Sequence, residues 1–358
     1  MTLADRRHRL AWGISAAATI IWLAVVAVAG LFERVVNNWE SAATMLFGSF
    51  LAGSSPEGGG AVAFPVFTKA LHVSAPVARS FGLSIQAVGM GVATLAILLF
   101  RRKIHRRAAV VGSIGALVGF AVATVFFGEH SELFWPSTIS APWIKATFSI
   151  VLATTSLLMV RHLRHGDHHD APLQWNQRID AALLVAALAG GFVSALGGTG
   201  ANIVVFLFLV VIVDENPKVA LPTAIIVMTV VSVAGLIVYG IVDGQLDVEV
   251  TGDLVTSVGG TSTALDAGRA DLLGLWLAAV PVVVWGAPLG SLAASMIPER
   301  RLVQFVALLA ATEVLTTFIL VSELRTNRAL LAYLVVGLIA LPAGLIGLAR
   351  SRHTLLAA

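Results

Sequence analysis

The hydropathy pattern of this chain alternates long apolar runs with short polar segments. Eight of the runs are about 20 residues or more, and a helix of that length crosses the roughly 30 Å hydrocarbon core of a membrane. These runs occupy residues 11–32, 77–100, 108–127, 142–160, 217–242, 272–297, 302–321 and 329–348. The pattern predicts an all-α membrane protein with about eight full transmembrane helices.

Two further apolar segments, residues 41–72 and 179–213, are each interrupted by glycine and polar residues. Their arms are short; those of the first are about 11 to 14 residues, which reach only about 20 Å as helix. Non-helical backbone is tolerated at membrane depth only where protein buries it or water hydrates it. We therefore predict two re-entrant helical hairpins whose tips meet at a site. The tips are Ser54-Ser55-Pro56-Glu57-Gly58-Gly59-Gly60 and Ser194-Ala195-Leu196-Gly197-Gly198-Thr199-Gly200-Ala201-Asn202.

The chain divides into two comparable membrane halves, residues 1–160 and 179–358, joined by the polar linker 161–178. The first half holds one span, the first hairpin and three spans, and the second half holds the second hairpin and four spans. A hairpin plus three spans makes an odd number of crossings, so we expect the two hairpins to enter from opposite sides. Such inverted repeats with interrupted helices are typical of secondary transporters.

Composition agrees with a multi-pass membrane protein. The 358 residues are 58% hydrophobic and only 12% charged, and the mean hydropathy is +0.90. The absence of cysteine excludes disulfides, thiolate metal sites and cysteine nucleophiles. The pI of about 9.7 does not indicate nucleic-acid binding, because the basic residues cluster at the ends of apolar runs, as membrane topology requires.

The distribution of Lys and Arg predicts the orientation. Fifteen of the 23 basic residues, including five in 101–107, fall on one face if both termini lie on that face, and Lys218 lies nearby. Seven fall on the other face. The positive-inside rule then places both termini and residues 161–178 in the cytoplasm, with the protein in the cell (inner) membrane. The basic start of the chain resembles a signal peptide, but its apolar run is too long for one and favours a retained first span.

The glycine-rich tips and the segments after them resemble the sulfite exporter TauE/SafE family over about residues 41–348. The resemblance is carried by Gly58-Gly59-Gly60-Ala61-Val62-Ala63-Phe64-Pro65, Asn216-Pro217-Lys218-Val219-Ala220 and Gly286-Ala287-Pro288-Leu289-Gly290. It implies a transporter, mostly outward, of sulfite, sulfoacetate or other organosulfonates. Where family members commonly read Gly-Ile-Gly-Gly-Gly, this chain has Pro56-Glu57-Gly58-Gly59-Gly60, which places a carboxyl group at the implied anion site.

The tips offer small, uncharged hydrogen-bonding groups and helix N-termini, which suit a sulfite, sulfonate or carboxylate. An alternative is that the glycines serve only close helix packing. Arg79 and Lys218 begin the spans after the hairpins and are expected either to guide the anion or to extend to the membrane interface; Ser84 and Gln86 lie deeper along the same path. The predicted substrate contacts are Ser54, Ser55, Gly58, Gly59, Gly60, Arg79, Ser194, Gly198, Thr199, Gly200, Asn202 and Lys218.

Glu57 is the predicted proton-coupling residue, because a carboxyl group at membrane depth must be protonated, paired with a cation such as Arg79, or hydrated. An alternative function is an ion channel or cation/proton antiporter built around Glu57 and Glu313. An enzyme is not expected, because no Ser–His pair, HExxH motif or paired Asp occurs in the spans. We expect no cofactor and no metal site, although the His-rich residues 162–170 leave metal binding open. The partners are lipid and a small anion, and a homodimer is left open.

Overall fold

The structure is a computed structural model that describes residues 3–127, 141–164, 175–246 and 271–356. The elements in these ranges are helical. The first seven helices are α1 (Leu3–Val28), α2 (Phe32–Asn37), α3 (Trp39–Ser54), α4 (Gly60–Pro65, continued by a π-helical turn Val66–Ala70), α5 (Ala75–Leu99), α6 (Arg106–Phe127) and α7 (Ala141–Arg164). The next seven are α8 (Gln177–Gly197), α9 (Ala201–Leu207, continued by Phe208–Val213), α10 (Pro217–Gly235, continued by Leu236–Val242), α11 (Leu272–Met296), α12 (Glu299–Leu320), α13 (Glu323–Thr326) and α14 (Arg328–Leu356).

Eight helical segments in the described ranges are long and apolar enough to cross a membrane. The predicted number is confirmed, but the membership differs from the prediction. Gln177–Gly197 belongs to the eight and the predicted span 142–160 does not. The first arm of the second hairpin was therefore wrongly predicted to be too short to cross, since its 21 residues extend about 31 Å at 1.5 Å per residue. The helix that contains 142–160, α7, carries Lys145 and a series of hydroxyl side chains.

The long arms α3 and α8 pack closely against α11 and α6 through glycine. A Cβ atom at Gly53 would overlap the carbonyl of Ala287 in α11, and one at Gly290 would overlap the carbonyl of Phe50 in α3. Likewise, a Cβ atom at Gly191 in α8 would overlap the carbonyl of Ala116 in α6. Small residues of this kind let helix backbones approach closely in membrane proteins. Glycine residues along these arms therefore serve close helix packing.

The bundle has two ends, each of which can be identified by its charged residues. At one, which we call the Arg102 end, Arg107 binds Asp180 through two nitrogen atoms, and Arg102 and Lys218 line one cleft. At the other, which we call the Arg79 end, α5 and α11 begin. There Asn38 donates a hydrogen bond to Asp271. Helices α5 and α11 run side by side in the same direction, so both begin at the Arg79 end and both finish at the Arg102 end. The position of a residue along either helix therefore shows which end it lies nearer.

Candidate functional site

The two glycine-rich tips meet inside the bundle. A Cβ atom built on Gly60 would lie 2.7 Å from Cγ2 of Thr199, and one on Gly58 would lie 2.8 Å from Nδ2 of Asn202. Helix α4 begins at Gly60 and α9 begins at Ala201, as predicted. Each tip turns through a glycine in the left-handed region, Gly58 with φ +72° and Gly198 with φ +79°. Two segments about 140 positions apart in the chain are thus in contact, with the side chains of Thr199 and Asn202 packed against glycines of the first tip.

Gln86 of α5 holds the second tip from the side. Its Nε2 donates to the carbonyl oxygens of Gly198 and Gly82, each at 2.8 Å. Its Oε1 lies 3.3 Å from the position that a Cβ atom on Gly58 would take. Gln86 therefore contacts both tips, which makes it a stronger site candidate than its predicted place on the access path suggested.

Several buried polar atoms at this junction have no hydrogen-bond partner among the described residues. They include a donor, Nδ2 of Asn202, and three acceptor-bearing groups, Oε1 of Gln86, Oε2 of Glu57 and Oγ of Ser54. Each of the four residues is at most 2% exposed. An unsatisfied buried polar group costs about 1–3 kcal/mol, so a ligand or ordered water that satisfies these atoms is favoured at this place.

Other predicted contacts form hydrogen bonds within the protein. Ser194 accepts a 2.8 Å hydrogen bond from the backbone N–H of Ala201 and donates one to the carbonyl of Gly190. Thr199 donates to Oδ1 of Asn202 at 3.3 Å, which orients the amide, and Ser55 donates to the carbonyl of Leu51. Gly59 lies against Gly48. These residues shape the tips, and Gly200, with φ +153°, completes the second one.

Glu57 is fully buried at the first tip. Its Oε1 accepts a 3.3 Å hydrogen bond from Ser156 of α7. The predicted partner, Arg79, makes a different contact: its guanidinium carbon lies 4.4 Å from the ring centroid of Tyr239, a typical cation–π geometry. The carboxyl group at the first tip is therefore held by a hydroxyl group in this structure.

Arg79 and Lys218 occupy opposite ends of the bundle. The Tyr239 ring that Arg79 covers donates through its hydroxyl to the carbonyl of Ala195 at 3.5 Å, close to the second tip. Lys218 lines a small cleft, part of it open to solvent, together with Pro56 of the first tip and Arg102. Met159, Phe206 and Leu221 form apolar parts of its wall.

Two features of the structure were not predicted as site features. Arg102 was treated only as a topology signal, yet it lines the cleft beside Lys218 and donates a 2.7 Å hydrogen bond to the carbonyl of Ser291. Lys69 was counted only for its charge, yet its Nζ lies 2.6 Å from Oε1 of Glu313. The sequence signal for both was the presence of a cation beside an apolar run, which by itself resembles an interfacial anchor.

Within the described ranges, no group of three or more His, Asp or Glu side chains is arranged to hold a metal ion. Residues 165–170 of the His-rich segment, for which metal binding was left open, lie outside those ranges.

Comparison with known proteins adds one match. The family model described as Sulfite exporter TauE/SafE matches residues 41–254, which is more than half of the chain. The match includes both tips and the segment at Asn216, and it ends before the Gly286 segment that the sequence resemblance included. No curated protein and no solved structure matches the chain.

Proposed function

The chain belongs to the sulfite exporter TauE/SafE family, and on that premise we propose that it is a secondary transporter that exports small anions. The substrate class that we propose is sulfite, sulfoacetate or another organosulfonate. The eight apolar helices and the family support a multi-pass membrane transporter. The proposed substrate site lies between the two tips.

The observation that carries this site is the set of unsatisfied buried polar atoms where the tips meet. Asn202 offers an amide donor, and hydroxyl groups such as that of Ser54 can donate to an oxyanion without a fixed charge. Gly197, within the second tip, is buried, yet a Cβ atom built on it meets no atom within 4 Å. This enclosed space and the lack of side chains on the tip glycines give room for a small ligand once the tips separate slightly.

The charge at the junction supports proton coupling. An ionised Glu57 and a bound anion about 4–8 Å apart would repel each other by about 2–4 kcal/mol at an effective dielectric constant of about 20. That energy corresponds to a loss of affinity of about 30- to 1,000-fold. A proton on Glu57 removes the repulsion, so we propose that proton and anion occupancy are linked.

The proposed orientation places both termini and the Arg102 end in the cytoplasm, with the two hairpins entering from opposite sides. In that orientation the cleft beside Lys218 and Arg102 is the cytoplasmic entrance, and it leads to Pro56 of the first tip. Two cations at its rim attract anions from the cytoplasm. Arg79 then lies at the exit, beside the second tip.

A cation/proton antiporter built around Glu57 and Glu313 is the alternative. The arrangement of Glu313 opposes it, because Lys69 already supplies a positive charge 2.6 Å from the carboxylate. A cation would have to displace that ammonium group. The anion hypothesis is therefore the better supported of the two.

The test is transport by purified protein in proteoliposomes loaded with labelled sulfite, sulfoacetate or a short carboxylate. We expect exchange of at least one sulfur-containing anion, and faster net movement when a pH gradient accompanies it. Glu57→Gln mimics the protonated acid, so it should keep anion exchange and lose most of the response to the pH gradient. Movement of cations alone would refute the proposal, and a normal pH response in Glu57→Gln would remove Glu57 from the coupling.

A further inference from the structure

A second buried carboxyl group, that of Glu313 in α12, is held by three elements at once. Its Oε1 lies 2.6 Å from Nζ of Lys69, which belongs to the π-helical turn after α4. It also accepts hydrogen bonds from Ser149 of α7 and from Thr317 of its own helix, each at 3.2 Å. The side chains of the ion pair are only 3% and 4% exposed.

The charges that face this pair are few within the described ranges. Lys145 of α7 lies close enough to interact electrostatically with Glu313, and with Glu323 just beyond α12. Its Nζ donates a 3.3 Å hydrogen bond to the backbone carbonyl of Thr68. The cluster therefore contains two cations and one buried acid, with Glu323 at the exposed edge.

The cluster lies toward the Arg79 end, because Phe67, two residues before Lys69, packs against Phe81 of α5 with ring centroids 4.4 Å apart. Ionisable residues inside membrane-spanning helices are costly, and they commonly mark ion or proton pathways. A buried ion pair is also a weak source of stability, because its desolvation offsets most of the attraction. If Lys69 and Glu313 only filled space between the helices, two apolar side chains would pack there equally well.

Helix α7 links this cluster to the first tip. Ser149 contacts Glu313, and Ser156, seven residues later, contacts Glu57. Seven residues are nearly two helical turns, so both serines lie on one face of α7, about 10 Å apart along its axis. Leu152 is buried between them in sequence. The two buried carboxyl groups thus accept hydrogen bonds from serines on the same face of α7.

We propose that Glu313 is a second proton-binding site, through which protons from the Arg79 end reach Glu57. This rests on the proposed anion transport. The carboxylate of Glu313 takes a proton from a hydronium ion at the Arg79 end, so one O–H bond of the hydronium breaks and releases water as the carboxyl O–H bond forms. Lys69 keeps its own protons and loses its partner. The proton then passes along α7 by way of water and Ser156 to the carboxylate of Glu57. Loss of the proton restores the ion pair.

The test measures two quantities in the same proteoliposomes: exchange of labelled sulfite or sulfoacetate at equal pH, and proton movement with the anion, reported by a pH dye inside the vesicles. The main variant is Lys69→Met/Glu313→Met, which removes both charges together and leaves no uncompensated ion. We expect it to keep anion exchange within about twofold and to lose proton movement at least about tenfold. Glu33→Gln, a change to an exposed acid of α2 outside the cluster, is the control and should behave as wild type.

Proton movement at the wild-type level in the double variant would overturn the proposal and make the pair structural. Loss of both quantities in a folded double variant would also overturn it, since the pair would then serve anion movement itself. Absence of anion exchange in the wild type would instead overturn the proposed function.

A second variant keeps the proposal testable if the double variant does not fold. Ser149→Ala removes one donor to the charged carboxylate, so the pH midpoint of proton movement should rise by about one unit. Thr155→Ala, on the same helix, removes a hydroxyl that bonds only the carbonyl of Val151 among the described contacts, and it should leave the midpoint unchanged. Equal midpoints in the two variants would refute the role of Glu313.

Discussion

The contact between Gly60 and Thr199 gives a sharp prediction, because Gly60 has ordinary helical backbone angles. Alanine at this position is conformationally allowed, and in a helix it would normally stabilise by about 0.4–1 kcal/mol. Its Cβ atom, however, would lie 2.7 Å from Cγ2 and 2.9 Å from Cβ of Thr199. Thr199 is 2% exposed and bonded to Asn202, so it cannot move aside freely.

Overpacking of this kind costs about 1–3 kcal/mol, so Gly60→Ala should destabilise by about 1–2 kcal/mol net. In a thermal unfolding assay of protein in detergent, each kcal/mol should lower the midpoint by about 2–4 °C. The anion exchange rate should fall with it, because Thr199 and Asn202 are displaced from the proposed site. Gly91→Ala is the control, since a Cβ atom on Gly91 meets no atom within 4 Å.

A double-mutant cycle isolates the tip contact. Thr199→Gly removes both close atoms, so Gly60→Ala should cost about 1–2 kcal/mol less in the Thr199→Gly background than in the wild type. A cost of Gly60→Ala that is the same in both backgrounds would refute the contact between the tips. So would a Gly60→Ala midpoint equal to that of Gly91→Ala.

Two further predictions concern the cleft and the topology. Arg102→Gln and Lys218→Gln should each raise the anion concentration for half-maximal transport from the Arg102 end about two- to fivefold, and the effect should be largest at low salt. Lys103→Gln changes an exposed neighbour and should leave that concentration unchanged. Equal effects of all three substitutions would show that the cleft is not on the transport path. Because the chain has no cysteine, Lys103→Cys and Glu33→Cys each provide a single label site. An impermeant maleimide should reach the first only from the cytoplasm and the second only from outside, and labelling of both from one side would refute the orientation.

The tips could be predicted from sequence because their signal is local. Glycines in a run between apolar segments end one helix and permit another to start, and the helices indeed begin at Gly60 and Ala201. Whether the arm before the second tip is long enough to cross the membrane was harder to predict. An apolar run of 19 residues in α8 or α7 has the same appearance whether it crosses the membrane or stops at a tip, since length and hydropathy do not specify packing partners.

The residues that complete the site could not be predicted, because their proximity depends on helix packing. Gln86 reaches the carbonyl of Gly198 across 112 positions, and Lys69 reaches Glu313 across 244. The first contact joins α5 to the second tip and the second joins α12 to the turn after α4, and in each case the two segments are distant in the chain. A lone cation or amide in an apolar run gives no information about which helix it will face.

The positions of the tips suggest how one site could open to two sides in turn. Pro56 of the first tip lines the cleft at the Arg102 end, whereas at the second tip a Cβ atom on Gly198 would lie 2.8 Å from the backbone carbonyl of Arg79. Each tip therefore lies nearer a different end of the bundle. In the proposed transport, movement of the first tip opens the junction to the Arg102 end while the second tip keeps it closed to the Arg79 end. Glu57 lies on the first tip and Lys69 on the helical segment that follows the same tip. In the proposed pathway the proton therefore moves between Glu313, which contacts this segment through Lys69, and Glu57, which lies at its start, whereas anion exchange itself does not require the ion pair.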